Sequence, residues 1–270
     1  MFFMLSLLHY KTYQKISKTN HCINFINNPP LFILHGLLGS MDNWHTQAKR
    51  LQQFRTVITI DLRNHGRSPH LKGMSYQQMG LDILAIMEYE KLKTIDVLGH
   101  SMGGKVAMWL ALHYPRRITT LIVVDMAPKT YPLWHQKMLI AMLKAPLLAF
   151  QSRQQVDHYL SQFIADNSKR SFISKNLQKR TGRGYKWRCN LKEIVTSYLK
   201  IATFPVPTSI FSNQSYFIRG ENSPYILPTD HALIKRLFIH AEIHTIKNSS
   251  HLPHVEQADD FYQLLKSFLK

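Results

Sequence analysis

The apolar positions of this chain change their period along its length. Leu31–His35, Thr56–Leu62, Thr94–Gly99 and Ile118–Asp125 are short, nearly continuous apolar runs. Between them, stretches near 42–53, 76–90 and 102–113 carry helical patterns. Continuous apolar strands alternating with helices predict a parallel sheet covered on both faces, an α/β architecture of the doubly wound kind. The rhythm breaks over residues 129–205. That segment holds helical patterns at Gln136–Leu143 and Gln154–Phe163, a breaker at Pro146, no convincing strand, and a closing proline pair, Pro205 and Pro207. Afterwards the alternation resumes with a strand at Tyr216–Arg219, a helix from Asp230, a strand at Glu242–Ile246 and an amphipathic helix from Asp259 to Leu269. The pattern predicts a core of 1–128 and 206–270 with a helical cap, 129–205, inserted into it. Residues 4–17 read as an edge strand or hairpin.

Composition narrows the class. The chain has 270 residues, enough for one large domain or one domain with an insertion. Two cysteines, Cys22 and Cys189, make neither a disulfide framework nor a metal pair, which favours a reducing, cytoplasmic setting. The opening MFFMLSLL lacks the basic start and small-residue cleavage site of a secretory signal. No run reaches the roughly 18 apolar residues of a membrane span, so stable membrane insertion is not expected. The net charge is +18, yet no zinc-finger spacing or RNP motif accompanies it, so nucleic acid is not the expected partner.

Gly99-His100-Ser101-Met102-Gly103, with Gly104 behind it, fits G-x-S-x-G and lies between a strand and a helix. In that setting the serine sits on a strained turn at the sheet's C-terminal edge, beside the free amides of the next helix. Ser101 is the candidate nucleophile. Upstream, His35-Gly36-Leu37-Leu38-Gly39-Ser40 ends another strand, and a glycine-loosened loop there turns backbone amides toward the same edge. Acyl transfer needs donors for its oxyanion, and the amides of Leu37 and Met102 are the candidates.

These motifs, with Asp61-Leu62-Arg63-Asn64-His65-Gly66-Arg67-Ser68 and Val123-Val124-Asp125-Met126-Ala127-Pro128, resemble the YbfF-type esterases of the α/β-hydrolase superfamily. The resemblance runs from about residue 30 to 131 and from 214 to 256. In the cap it is weak, carried by Trp187-Arg188 and Asn190. It implies an α/β-hydrolase fold and cleavage of short acyl esters or acyl-CoA thioesters.

A serine hydroxyl needs a neighbouring imidazole to take its proton. In this fold the order is Ser, acid, His. His251 follows the last strand in Asn248-Ser249-Ser250-His251, where Asn248 and Ser250 replace the usual glycines and leave the loop's shape open. Glu256 stands five residues on, and His254 is the rival base. For the acid, the loop after the seventh strand reads Gly220-Glu221-Asn222-Ser223-Pro224, with a serine where an aspartate commonly stands. Asp125, ending the strand after the nucleophile helix, is therefore assigned as the acid, with Glu221 as the alternative. Asp61 is read as a brace for its own loop.

The cap carries 14 basic and 3 acidic residues, which is +11 of the chain's +18. Residues 168–188 hold eight cations and no acid, interleaved with Phe172, Tyr185 and Trp187. Such a patch is either a solvated face or a steering surface for a phosphate-bearing acyl-CoA. His35, Gly36, His100, Trp187, Met138 and Met142 are expected to bind substrate, a small acyl ester or acyl-CoA; in the cap Met138, Leu139, Met142 and Leu143 are the acyl-facing candidates, with packing of the cap's own core as their plainer use. No metal-binding spacing appears, and the expected reaction needs no cofactor. Carbon–carbon bond hydrolysis, cofactor-free peroxidation or synthase chemistry on the same triad, and a non-catalytic receptor, remain alternatives.

Overall fold

The computed structural model describes residues 7–14, 28–205 and 208–269. The first six residues, the outer parts of the expected 4–17 hairpin, Cys22 and the expected cap boundary at 206 lie outside them. In chain order the elements are β1 (Tyr10–Tyr13), β2 (Leu31–Leu34), α1 (His45–Leu51), β3 (Val57–Ile60), α2 (Tyr76–Tyr89), β4 (Ile95–His100), α3 (Met102–His113) and β5 (Ile118–Val124). Next come α4 (Gln136–Lys144), α5 (Arg153–Ser161), α6 (Asn167–Ser174), β6 (Leu177–Lys179), β7 (Tyr185–Trp187) and α7 (Leu191–Ala202). The chain closes with β8 (Ser215–Gly220), α8 (His231–Leu237), β9 (Ala241–Ile246), α9 (Pro253–Glu256) and α10 (Ala258–Phe268).

Seven strands form one sheet in the order β1-β3-β2-β4-β5-β8-β9. Only β1 is antiparallel, lying along β3 at the edge. The central strands β2, β3 and β4 are buried at every position, as strands with helices on both faces must be. Edge strand β9 instead mixes half-buried and exposed positions. α2 starts at a capping box: Gln78 N donates to Ser75 Oγ, and Ser75 N donates to Gln78 Oε1. α3 is buried from Met102 to Leu112 and fills the space beside β4 and β5.

Between β5 and β8 run four helices and a two-stranded antiparallel hairpin, β6–β7. The hairpin corrects the expectation that this stretch holds no strand. Its strands are three residues each, with one lysine apiece, too short to show an apolar period. The inserted segment is tied to the core near its start and through its second half. Asn176 Nδ2 donates to Leu38 O at 2.7 Å, Asn190 N to Asn64 O at 2.9 Å, and Gly73 N to Glu193 Oε1 at 2.8 Å. Near its start, Lys129 pairs with Asp230 at 2.6 Å. No helix among the described residues is long and apolar enough to cross a membrane.

Candidate active site

Ser101 lies between β4 and α3 with φ +53° and ψ −116°, a conformation that side chains seldom adopt. The flanking glycines make it reachable. A Cβ on Gly99 would sit 2.1 Å from Gly103 O, and one on Gly103 would sit 2.5 Å from Leu34 O. The spacing G-x-S-x-G is thus the footprint of two backbone approaches on either side of the nucleophile.

Two more strand ends complete the group. Asp125 follows β5 with φ +50° and is fully buried. His251 lies in the loop after β9. Ser101 Oγ is 3.1 Å from His251 Nε2, and His251 Nδ1 is 2.7 Å from Asp125 Oδ2. With the carboxylate accepting from Nδ1–H, Nε2 is the acceptor for the serine hydroxyl. Gly220 N donates to Asp125 Oδ1 at 3.2 Å, and the Ser223 hydroxyl donates to Oδ2. A buried carboxylate needs such donors. Glu221, the alternative acid, accepts instead from Asn248 N at 3.0 Å and is exposed. His254, the rival base, is stacked on Trp44 with ring centroids 4.2 Å apart, and burial pulls it down to about 3.

The loop that carries His251 keeps its course without the usual glycines. Asn248 takes the left-handed φ of +52°, which asparagine tolerates better than most residues. The Glu256 carboxylate accepts from Ser250 N and Ser250 Oγ, both at 2.6 Å, and from Leu252 N at 3.3 Å. It therefore grips the chain on both sides of His251. On the far side, the Tyr225 ring stacks on the imidazole at 3.8 Å.

Leu37 and Met102 line one pocket with Ser101. The Met102 amide opens α3, where helix amides have no intrahelical acceptor. The loop bearing Leu37 is fixed by two buried histidines. His65 Nε2 accepts from Leu38 N at 3.0 Å, and its Nδ1–H donates to Arg63 O. His35 Nε2 accepts from Leu62 N at 3.0 Å, and its Nδ1–H donates to Gly36 O. Burial pulls His35 down to about 4 and His65 to about 3, so both serve as neutral rings. Asp61 accepts from Arg67 N at 2.8 Å within its own loop and from Met41 N at 2.7 Å in the neighbouring one.

None of the six residues expected to bind substrate is among the walls of this pocket. His35 is spent on Leu62 and Gly36. His100 is buried, with Nε2 2.8 Å from His251 O, and its ring crowds Gly36, where a Cβ would lie 2.8 Å from Nδ1. Trp187 Nε1 donates to Met142 O, and Met142 is fully buried in the core with Met138 packed against it. Leu139 is likewise buried, and Leu143 faces solvent. Its walls include Tyr76, Lys105, Tyr131, Trp134, His135, Tyr198 and Tyr225, around a narrow cavity of about 40 Å³. They converge from five separate segments, so no local spacing announces them. Lys105 is buried, with Nζ donating to Ala202 O at 2.7 Å and Thr203 O at 3.3 Å, and burial lowers it to about 7. Among the described residues, no three His, Cys, Asp or Glu side chains are grouped to hold a metal ion.

A nucleophile elbow, a histidine from the last strand's loop and a carboxylate from another strand end define a fold family, and the family model for the alpha/beta hydrolase fold matches residues 29–258. The chain belongs to the α/β-hydrolase family. Within that family it is an esterase/lipase-type hydrolase. The sn-1-specific diacylglycerol lipase ABHD11 of Mus musculus is 38% identical over 249 residues, 89% of this chain and 81% of the lipase. Esterase YbfF of Escherichia coli is 29% identical over 245 residues, 90% of this chain and 94% of the esterase. Among solved structures, a marine microorganism esterase superposes with a TM-score of 0.90 at 32% identity, over 97% of this α/β-hydrolase and 99% of its own chain.

Proposed function

We propose that this α/β-hydrolase cleaves carboxylic esters, acylglycerols among them, through an acyl-enzyme on Ser101. The observation that carries the reading is the relay from Ser101 Oγ to His251 Nε2 and from His251 Nδ1 to Asp125 Oδ2. The hydroxyl attacks the ester carbonyl while its proton passes to Nε2. The imidazolium that forms faces the Asp125 carboxylate, whose other contacts are all donors. The Leu37 and Met102 amides receive the negative charge that grows on the carbonyl oxygen. The leaving alcohol then takes the proton from Nε2, and water repeats the sequence to free the acid. An aromatic-walled pocket supports an acyl group as the bound part, and the mouse lipase named above acts on diacylglycerol.

The same relay would open a thioester. That finer reading draws on the acid-free run between Asp166 and Glu193, in which Lys175, Lys179, Arg180, Arg183 and Lys186 are exposed and form no ion pair among the described residues. One set of assays decides both. A fluorophosphonate should label Ser101 alone, and Ser101→Ala should lose hydrolysis of p-nitrophenyl esters and acylglycerols while staying folded. Labelling at another serine overturns the assignment. Parallel rates on acyl-CoAs accept or reject the thioester reading, whose kcat/KM should fall with salt while that of a neutral ester holds.

A further inference from the structure

One face of the inserted segment leads from the pocket mouth to the basic hairpin. Pro132 and Trp134 line the mouth, and Trp134 keeps 48% of its surface exposed. α4 starts two residues later. Its outward stripe is Lys137, Ile140, Leu143 and Lys144, all exposed and spaced three and four apart, whereas Leu139 and Met142 are buried. The chain then turns at Pro146 into Leu148, which is 58% exposed. The β6–β7 turn abuts this point: Tyr185 N donates to Leu147 O at 2.8 Å, and a Cβ on Gly184 would lie 2.6 Å from Leu148 Cα. That turn carries Arg180 and Arg183, both exposed. No acid occurs in the sequence between Asp125 and Asp157, or between Asp166 and Glu193.

We propose that this face docks onto an anionic lipid bilayer and holds the pocket mouth against it. The proposal rests on the ester-cleaving reading above, because a long-chain acylglycerol resides in a bilayer and not in water. Apolar side chains scattered singly on a surface need no explanation. Here they follow one helix stripe, lie between cations, and continue past the helix end. An amphipathic helix that lies in a membrane interface has this composition, with apolar groups seated among acyl chains and cations at the headgroups. An acid-free stretch of this length suits a surface of phosphate charges. The acyl-CoA reading, by contrast, draws on Lys175 and the cations of the β6–β7 hairpin, so changes confined to α4 and Leu148 separate the two.

The test uses the full chain carrying Ser101→Ala, so that no substrate is consumed, and vesicles of phosphatidylcholine with or without phosphatidylglycerol. Co-sedimentation should occur with the anionic vesicles alone and weaken with salt. Lys137→Glu with Lys144→Glu should weaken it by at least roughly fivefold per cation lost. Ile140→Glu with Leu148→Glu should abolish it. In the Ser101 background each variant pair should hydrolyse a soluble short-chain ester at the unaltered rate, which shows that it is folded. Absence of binding to anionic vesicles, binding that the α4 variants leave unchanged, or a dimer that covers this face in sedimentation would each overturn the proposal. Vesicle binding without soluble esterase activity would instead remove the catalytic reading and leave the docking surface standing.

Discussion

The hydroxyl of Ser223 and the imidazole of His251 share a single oxygen of Asp125, Oδ2. Ser223 lies in the loop after β8, where a carboxylate commonly serves this fold, and Asp125 ends β5. The two positions meet at one point in space. The serine turns the commoner acid site into a donor that steadies the carboxylate arriving from the adjacent strand.

Replacing Asp125 with asparagine keeps the shape, removes the charge, and presents an amide that favours the wrong imidazole tautomer. In a triad protease that change lowers kcat on the order of 10⁴-fold. Steady-state kinetics of Asp125→Asn should show a loss of several orders of magnitude with KM little changed. Glu221→Gln should keep most of the activity, because Glu221 binds Asn248 N and not the histidine.

Ser223→Asp alone should be harmful, since it sets two carboxylates side by side in a buried place, and like charges that close resist joint ionisation. Combined with Asp125→Asn it should recover part of the lost turnover by returning a charge to the imidazole from the neighbouring loop. A double variant no faster than Asp125→Asn would show that the loop after β8 lacks the reach.

Glu256 touches no reacting atom, yet it holds Ser250 and Leu252 on either side of the base. Glu256→Gln keeps its size and removes the negative charge that accepts these bonds. A misplacement of about 1 Å can lower a rate by roughly 100-fold. The expected result is a kcat lower by about tenfold to a hundredfold with KM nearly unchanged. The fluorophosphonate labelling rate of Ser101 should fall in parallel, while thermal stability barely moves.

Lys105 couples stability to pH. The unfolded chain keeps its ammonium protonated up to the ordinary value of 10.5, whereas burial lowers the folded value to about 7. Between these values the unfolded state binds more protons, so stability rises with pH across that window. Below about 7 both states are protonated and the burial penalty is present in full. Urea melts of the unaltered protein and Lys105→Met should therefore show their difference shifting toward the lysine as pH rises from 7 to 10. A flat difference would mean that the carbonyls of Ala202 and Thr203 already offset the burial.

Gly103 has no room for a methyl group, because Leu34 O and His35 O are both backbone atoms that cannot step aside. Gly103→Ala should cost about 3 kcal/mol by overpacking. It should also disturb the Met102 amide. Chemical denaturation measures the first effect and the ester rate the second.

The sheet was legible because its strands are buried on both faces, which leaves a continuous apolar signature in β2, β3 and β4. The elbow was legible because the approach of Gly103 to β2 excludes any side chain. Asp125 could be found by noticing that Ser223 cannot carry charge. The pocket walls could not be found in this way. Tyr131, Tyr198 and Tyr225 belong to a loop, a helix and another loop, and only the tertiary fold gathers them. His35 and His100 show the limit from the other side. They stand beside catalytic motifs, but their ring nitrogens are committed to Leu62 N and His251 O.

The ties between the inserted segment and the core also bear on motion. Lys129 anchors its start, Asn176, Asn190 and Glu193 anchor its second half, and Lys105 holds the end of α7 onto the nucleophile helix. A hinged lid swings on one attachment, whereas a seam sewn at both ends has to open stitch by stitch. Side chains on the pocket wall keep more freedom, above all Trp134, whose ring meets Tyr225 edge-on at 5.2 Å and keeps half its surface free. Turning one indole needs only a rotamer change, on the picosecond-to-nanosecond scale of exposed side chains. A side-chain turn of that kind is decoupled from the slower breathing of the fold.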